Sequence, residues 1–151
     1  MKRHLLKSLK LVSAAVLLIG ITLLLPNADA RSEGLPPGTY SATIVEADIP
    51  PGFPPEAIPI LVGYWETEFG EDGDYIVTKD GEFVANGRYT SNSGRFVMRD
   101  LGGPLACLDA PGIATGVYEW SLENDELVVS PVHDGCLGRA AVLTAHPLEI
   151  E

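Results

Sequence analysis

The sequence predicts an all-β protein, a single antiparallel up-and-down β-barrel of about eight strands. Short segments alternate between apolar and polar residues, as in 63–69, where Trp65, Thr67 and Phe69 share one face. Asp-Gly and other turn residues separate these segments at the spacing of hairpins. No amphipathic helix stands out. A series of hairpins favours a barrel over a sandwich, because closure removes the exposed sheet edges.

Residues 1–30 have the pattern of a secretory signal peptide. A basic start precedes residues 11–25, which have only small or apolar side chains, and Ala28-Asp29-Ala30 offers a cleavage site after Ala30. The apolar run is shorter than the about 20 residues that a membrane-spanning helix needs. We therefore expect a protein secreted to the periplasm or the medium, with no membrane association after cleavage. An uncleaved anchor is the alternative.

The chain after the signal is strongly acidic. Four of the 10 Lys and Arg lie in residues 1–30 but only one of the 21 Asp and Glu does, so residues 31–151 carry a formal net charge of −14. Such a surface repels phosphate backbones and anionic lipid, and it lacks the basic patch that nucleic-acid binding needs. We expect a monomer without a nucleic-acid partner or a cofactor. A basic partner or a bound cation is the alternative.

Residues 31–38 form a polar leader with Pro and Gly that is predicted to be flexible, and residues 39–151 form the barrel domain. The first strand is predicted at 39–45. Four prolines in 48–55 exclude a regular helix or a central strand there and predict a stiff loop that crosses between sheet edges.

Seven further strands are predicted after this loop. Gly87 lies inside one of them, which predicts a bulge or a close approach of two backbones. A long connection rich in Gly and Pro, 101–114, separates the middle strands from the last three. The predicted strands are 63–69, 75–78, 83–90, 95–100, 117–122, 127–132 and 138–144.

The inward faces of these strands carry large apolar side chains that could line a ligand pocket in the barrel. The same side chains could equally fill a dry core. The candidate lining residues are Phe83, Tyr89, Phe96, Met98, Tyr118 and Trp120.

Cys107 and Cys136 are the two cysteines of the chain, and in an exported protein an even number predicts a disulfide. The bridge would tie the long connection to the start of the last strand. Closing a loop of this length would stabilise the fold by about 3–4 kcal/mol. The alternative is a metal site with His133, but the paired ligand spacing of a zinc site is missing, so we expect no metal.

No set of residues has the spacing of a catalytic site. His133 and Asp134 are adjacent and Ser130 lies nearby, but the Gly-x-Ser-x-Gly turn of a serine hydrolase is absent. Asp134 is instead predicted to cap a turn before Gly135. The acidic residues of 71–74 suggest calcium, but they lack the spacing of a calcium loop.

Gly63-Tyr64-Trp65 resembles the Gly-x-Trp hallmark of the lipocalins and the wider calycin group. Two further patterns, Gly87-x-Tyr89 and Gly116-x-Tyr118-x-Trp120, are similar to small secreted lipocalin-like domains of bacteria. The resemblance covers residues 61–145.

The resemblance implies structural roles for Gly63, Trp65 and Arg139. Trp65 would lie low in the barrel and pack against Arg139 from the last strand, in a cation–π pair of about 0.5–2 kcal/mol. The chain departs from full lipocalins in its length, in the absence of a predicted helix near the C-terminus, and in the strand 39–45 ahead of the motif.

Three hypotheses on function follow. The first is a barrel that binds a small apolar ligand. The second is a protein-interaction module such as a protease inhibitor, in which 48–55 or 101–114 contacts a secreted protein. The third is an enzyme, as in the allene oxide cyclase relatives of this barrel. Since no acid–base pair stands out, we expect that the protein is not an enzyme.

Overall fold

The computed structural model describes residues 34–109 and 112–151. In this part of the chain eight antiparallel strands follow one another in chain order, and β1 pairs with β8 to close a barrel. The all-β, up-and-down barrel predicted from the sequence is therefore confirmed. The predicted signal peptide, residues 1–30, lies outside the described residues.

Two α-helices and one 3₁₀ turn, Glu46–Asp48, accompany the strands. The helices are α1 (Ile58–Leu61) and α2 (Leu137–Thr144). The strands are β1 (Gly38–Ile44), β2 (Gly63–Phe69), β3 (Asp74–Lys79), β4 (Glu82–Asn92), β5 (Arg95–Gly102), β6 (Thr115–Glu123), β7 (Glu126–Asp134) and β8 (Leu148–Ile150).

The prediction of a strand at 138–144 is wrong, because these residues form helix α2. Its Arg, Ala and Leu residues have high helix propensity, and Ala141, Val142 and Leu143 are buried. The expectation that no helix lies near the C-terminus is wrong for the same reason. The last strand is instead the short β8, in which Leu148 pairs with β7 and Ile150 with β1.

The two ends of the barrel differ in construction. One end, which we call the turn end, carries the tight turns β2–β3, β4–β5 and β6–β7. The other end, which we call the disulfide end, carries α1, the start of α2, the connection from β5 to β6, and the disulfide between Cys107 and Cys136. The Cα atoms of these cysteines are 6.0 Å apart, as the predicted bridge requires.

Aromatic rings fill the half of the barrel towards the turn end. Phe96 and Tyr118 stack with ring centroids 5.0 Å apart, and Phe69 meets Tyr89 edge-on at 4.8 Å. These side chains belong to one cluster of buried residues. Burial of rings on this scale is a main source of stability in so small a barrel.

The described part of the predicted leader is packed against the barrel. Leu35 is buried in the aromatic cluster, and its backbone N–H donates to Ser91 Oγ at 2.6 Å. Tyr40 donates its hydroxyl proton to the Pro36 carbonyl oxygen at 2.8 Å. Residues 34–38 therefore cover the turn end, where the sequence suggested a flexible segment.

Gly87 lies where two backbones approach closely, as the sequence predicted. The register of β4 against β5 shifts between Asn86 and Gly87. A Cβ atom at Gly87 would overlap the Arg99 carbonyl oxygen and lie 2.5 Å from the Tyr75 hydroxyl oxygen. No side chain fits there unless a strand moves.

We expect Gly87→Ala to lower the free energy of unfolding by about 3 kcal/mol, at the upper end of overpacking costs, because the obstructing atom belongs to the backbone. Urea unfolding with the disulfide intact measures the change. Thr90→Ala, at an exposed position of the same strand, should cost at most about 1 kcal/mol. Equal losses in the two variants would contradict this account of Gly87.

Candidate functional site

A cavity of about 190 Å³ lies inside the barrel at the disulfide end. Apolar side chains from strands and both helices form most of its wall, including Leu61, Trp65, Val84, Met98 and Val142. Trp65 is only 6 % exposed. Val84, Ala85 and Val142 are among the smaller side chains of this wall.

Arg139 lies in the wall of this cavity at the centre of a buried ion cluster. Its Nη1 is 2.9 Å from Asp100 Oδ1 and its Nη2 is 2.7 Å from Asp134 Oδ1. Its Nε–H donates to Asp134 Oδ2 at 2.7 Å. The exposed fractions of the side chains are 8 % for Arg139, 4 % for Asp100 and 0 % for Asp134. A guanidinium with two carboxylates gives this cluster a formal net charge of −1.

The guanidinium also holds the connection between β5 and β6. Nη1 donates to the Ala114 carbonyl oxygen at 3.1 Å and Nη2 donates to the Ile113 carbonyl oxygen at 2.9 Å. An arginine has five N–H donors. Arg139 donates four hydrogen bonds in all, to Asp134 and to these two carbonyl oxygens, and its Nη1 also forms the ion pair with Asp100.

The two aspartates fix the disulfide. The backbone N–H of Cys107 donates to Asp100 Oδ2, and that of Cys136 donates to Asp134 Oδ1, both at 2.7 Å. The ion cluster and the disulfide therefore join the same two segments, the connection after β5 and the start of α2. The disulfide and the ion cluster are therefore two separate links between these segments.

Two tyrosines complete the cluster: Tyr75 donates its hydroxyl proton to Asp100 Oδ1 and Tyr118 donates to Asp134 Oδ2. Burial and the adjacent carboxylates raise the pKa of both hydroxyls well above its usual range. Burial by itself would lower the pKa of Arg139, but the bond to Asp134 and the charges of both aspartates outweigh it and raise the pKa. Both tyrosines remain protonated and Arg139 remains charged at neutral pH.

Gly116 makes room for the second tyrosine–aspartate pair. It lies opposite Asp134 in the β6–β7 register. A Cβ atom at Gly116 would lie 2.5 Å from Asp134 Oδ2 and 2.7 Å from Tyr118 Cε2. The Gly-x-Tyr pattern of this strand thus has a steric reason.

Gly63 and Trp65 have structural roles at the start of β2. Gly63 has a φ of 147°, and a Cβ atom there would lie 2.8 Å from an Asp80 carboxylate oxygen. Trp65 donates its indole N–H to the Leu61 carbonyl oxygen at 2.7 Å. Arg139 lines the same cavity as Trp65, but it belongs to α2 and its N–H groups are bonded to the aspartates and the carbonyl oxygens. The sequence did not predict this ion cluster.

Met98 alone among the six predicted lining residues lies in the wall of the cavity. Phe96, Tyr118 and Tyr89 are buried in the aromatic half of the barrel. Trp120 is half-buried and packs against that cluster, with its indole N–H donating to the Asn92 carbonyl oxygen at 3.3 Å. These four positions do not contribute to the cavity wall.

Phe83 is 49 % exposed and does not face the barrel interior. The β3–β4 register shifts between Val77 and Thr78, so the neighbouring residues Val84 and Ala85 are both buried. Simple alternation along the strand therefore assigned Phe83 to the wrong face.

The other residues that the sequence suggested for catalysis or metal binding either lie apart from one another or are bonded to other groups of the protein. His133 is exposed whereas Asp134 is buried. The bond from the Cys136 N–H to Asp134 closes the turn at Gly135 that the sequence predicted. Asp74 binds Arg88 at 2.5 Å. Within 34–109 and 112–151, no group of three His, Cys, Asp or Glu side chains could hold a metal ion.

Asp100 is a candidate functional residue that the sequence patterns did not predict. It continues the inward alternation of Phe96 and Met98 on β5. A carboxylate at an inward position needs a charged or hydrogen-bonding partner, and this requirement is the signal that could have identified it.

Comparison of the chain with protein-family models, with curated proteins and with solved structures found no match. The closed eight-stranded antiparallel barrel is compatible with a calycin-like fold. In the part of the chain described here, no helix is long and apolar enough to span a membrane.

We expect Arg139→Met to lower the free energy of unfolding by about 3–5 kcal/mol, because it leaves two buried carboxylates without their cation. Urea unfolding of the oxidised protein measures the loss.

Arg88→Met is the matched control. Arg88 also binds an aspartate, Asp74, but both side chains are more than half exposed, so its loss should cost at most about 1 kcal/mol. A similar loss in the two variants would contradict the central role of the buried cluster.

Proposed function

We propose that the protein is an exported, calycin-like barrel that binds a small, mainly apolar molecule in the cavity at the disulfide end. The observation that carries this proposal is the cavity itself, about 190 Å³ in volume and lined mostly by apolar side chains. The role is binding without a catalytic step.

The size of the cavity limits the ligand. Drug-sized ligands occupy pockets of about 300–1,000 Å³, whereas an engineered apolar cavity of about 150 Å³ holds benzene. A cavity of about 190 Å³ suits a single ring or a short chain. Long fatty acids and multi-ring ligands are too large for it.

Two further observations support the calycin-like and exported character. The Gly63-Tyr64-Trp65 motif starts β2 with the tryptophan buried, and a helix, α2, precedes the last strand, which removes one departure from the lipocalin pattern. The disulfide between Cys107 and Cys136 is compatible with an oxidising compartment outside the cytoplasm.

We expect toluene to bind in the cavity and to shift the NMR methyl resonances of Met98. The Val142→Phe variant should lose this binding, because a phenyl ring from α2 would occupy the space. Leu122→Phe is the matched control, since it adds the same ring at an exposed position of β6 and should bind toluene as the wild type does.

Absence of toluene binding in the wild type would contradict the proposal. Binding that is unchanged in Val142→Phe would place the ligand elsewhere and would contradict it as well. Circular dichroism of each variant tests whether the barrel remains folded.

The second candidate function is a secreted protein-interaction module, of which a protease inhibitor is one kind. It is favoured by the apolar side chains that are exposed around the disulfide end. Three of them, Leu101, Leu105 and Leu108, lie on or next to the connection after β5, and Ile60 and Leu137 lie on the helices. Exposed apolar groups of this kind are common at protein interfaces.

Titration against a panel of secreted proteases tests this second candidate. If the disulfide end makes the contact, Leu108→Asp should weaken inhibition by about tenfold or more. Leu122→Asp, which adds the same charge towards the turn end, should leave inhibition unchanged. Wild-type protein that inhibits no protease of the panel, or equal inhibition by the two variants, would count against the inhibitor role.

A further inference from the structure

We propose that the cavity selects a small apolar amine, bound as its ammonium ion through the carboxylate of Asp100. This inference rests on the proposed ligand-binding function and names the chemical class of the ligand. It follows from which polar groups of the cavity wall are already occupied.

Arg139 is committed to groups of the protein. It donates four hydrogen bonds, to Asp134 through Nε and Nη2 and to the carbonyl oxygens of Ile113 and Ala114, and its Nη1 lies 2.9 Å from Asp100 Oδ1 in an ion pair. A ligand carboxylate would have to compete with the two aspartates for this guanidinium. Among the described residues Arg139 is the one cation in the cavity wall, and it acts as a structural group.

Asp134 is saturated as well. Its Oδ1 accepts from the Cys136 N–H and from Arg139 Nη2, and its Oδ2 accepts from Tyr118 and from Arg139 Nε. A carboxylate has about four acceptor positions, and all of those on Asp134 are filled. Asp134 is not among the residues that line the cavity.

Asp100 differs from Asp134 in both respects. It lines the cavity. Its Oδ1 accepts from Tyr75 and lies 2.9 Å from Arg139 Nη1 in an ion pair, whereas within the described residues its Oδ2 accepts from the Cys107 N–H alone. Since each carboxylate oxygen has about two acceptor positions, Oδ2 keeps one acceptor position for a ligand.

The net charge of the ion cluster also favours a cationic ligand. Asp100, Asp134 and Arg139 together carry a formal net charge of −1 at a buried site. An ammonium group at Asp100 would neutralise this charge and donate to Oδ2, whereas a ligand carboxylate would add to the negative charge of the site. Apolar surface from Trp65 and Met98 would enclose the rest of the ligand.

Three probes of similar size test the inference at neutral pH: toluene, benzylamine and benzoate. Isothermal titration of the wild type should show benzylamine binding at least about tenfold more tightly than toluene, as expected for one charge-assisted hydrogen bond, and no binding of benzoate. Shifts of the Met98 methyl resonance locate each probe in the cavity.

Asp100→Asn should remove the preference, so that benzylamine binds this variant no more tightly than toluene does. Glu68→Gln is the matched control, because it removes the same charge at an exposed position of β2 and should preserve the preference. If Asp100→Asn fails to fold, the ranking of the three probes on the wild type decides the question alone.

The outcomes separate the two proposals. Toluene that binds as tightly as benzylamine, or benzoate that binds best, overturns the amine inference and leaves the ligand-binding function standing. Failure of every probe to bind in the cavity overturns both. If benzylamine binds and toluene does not, the result supports the ammonium site at Asp100 and contradicts the proposal that the ligand is mainly apolar.

Discussion

The buried ion cluster around Arg139 is the interaction on which the disulfide end of this barrel depends. One guanidinium joins Asp100 at the end of β5, Asp134 at the end of β7, and the backbone before β6, while it belongs to α2. A buried arginine is tolerated only when its charge and its donors are fully matched. Here the partners come from three separate segments, so the cluster orders these three and α2 together.

The division of the barrel into two halves follows from side-chain size. Large rings such as Phe96 and Tyr118 are buried in the half towards the turn end. At the other end smaller side chains, among them Val84, Ala85 and Val142, belong to the cavity wall. Packing of the rings contributes stability in one half, and the cavity in the other half is the site of the proposed binding.

The cavity, the ion cluster, the disulfide and the exposed side chains of Leu101, Leu105, Leu108 and Leu137 lie at the disulfide end. Asp100 belongs to both the structural cluster and the cavity wall, and it accepts a bond from the Cys107 N–H. A ligand bound to Asp100 would therefore contact a group that also holds the connection after β5. The proposed ligand binding would thus couple structure and recognition through this one carboxylate.

The sequence by itself determined the barrel, seven of its strands, the disulfide pairing and the close approach at Gly87, because period-2 alternation, turn residues and a single cysteine pair are local signals. It did not determine α2, the outward direction of Phe83 or the cavity. Tertiary structure decided these features. Helix α2 forms where its apolar residues are buried against the barrel, and a register shift between β3 and β4 turns Phe83 outward. The Arg139 cluster also joins residues far apart in the chain, and only closure of the barrel brings their charges together.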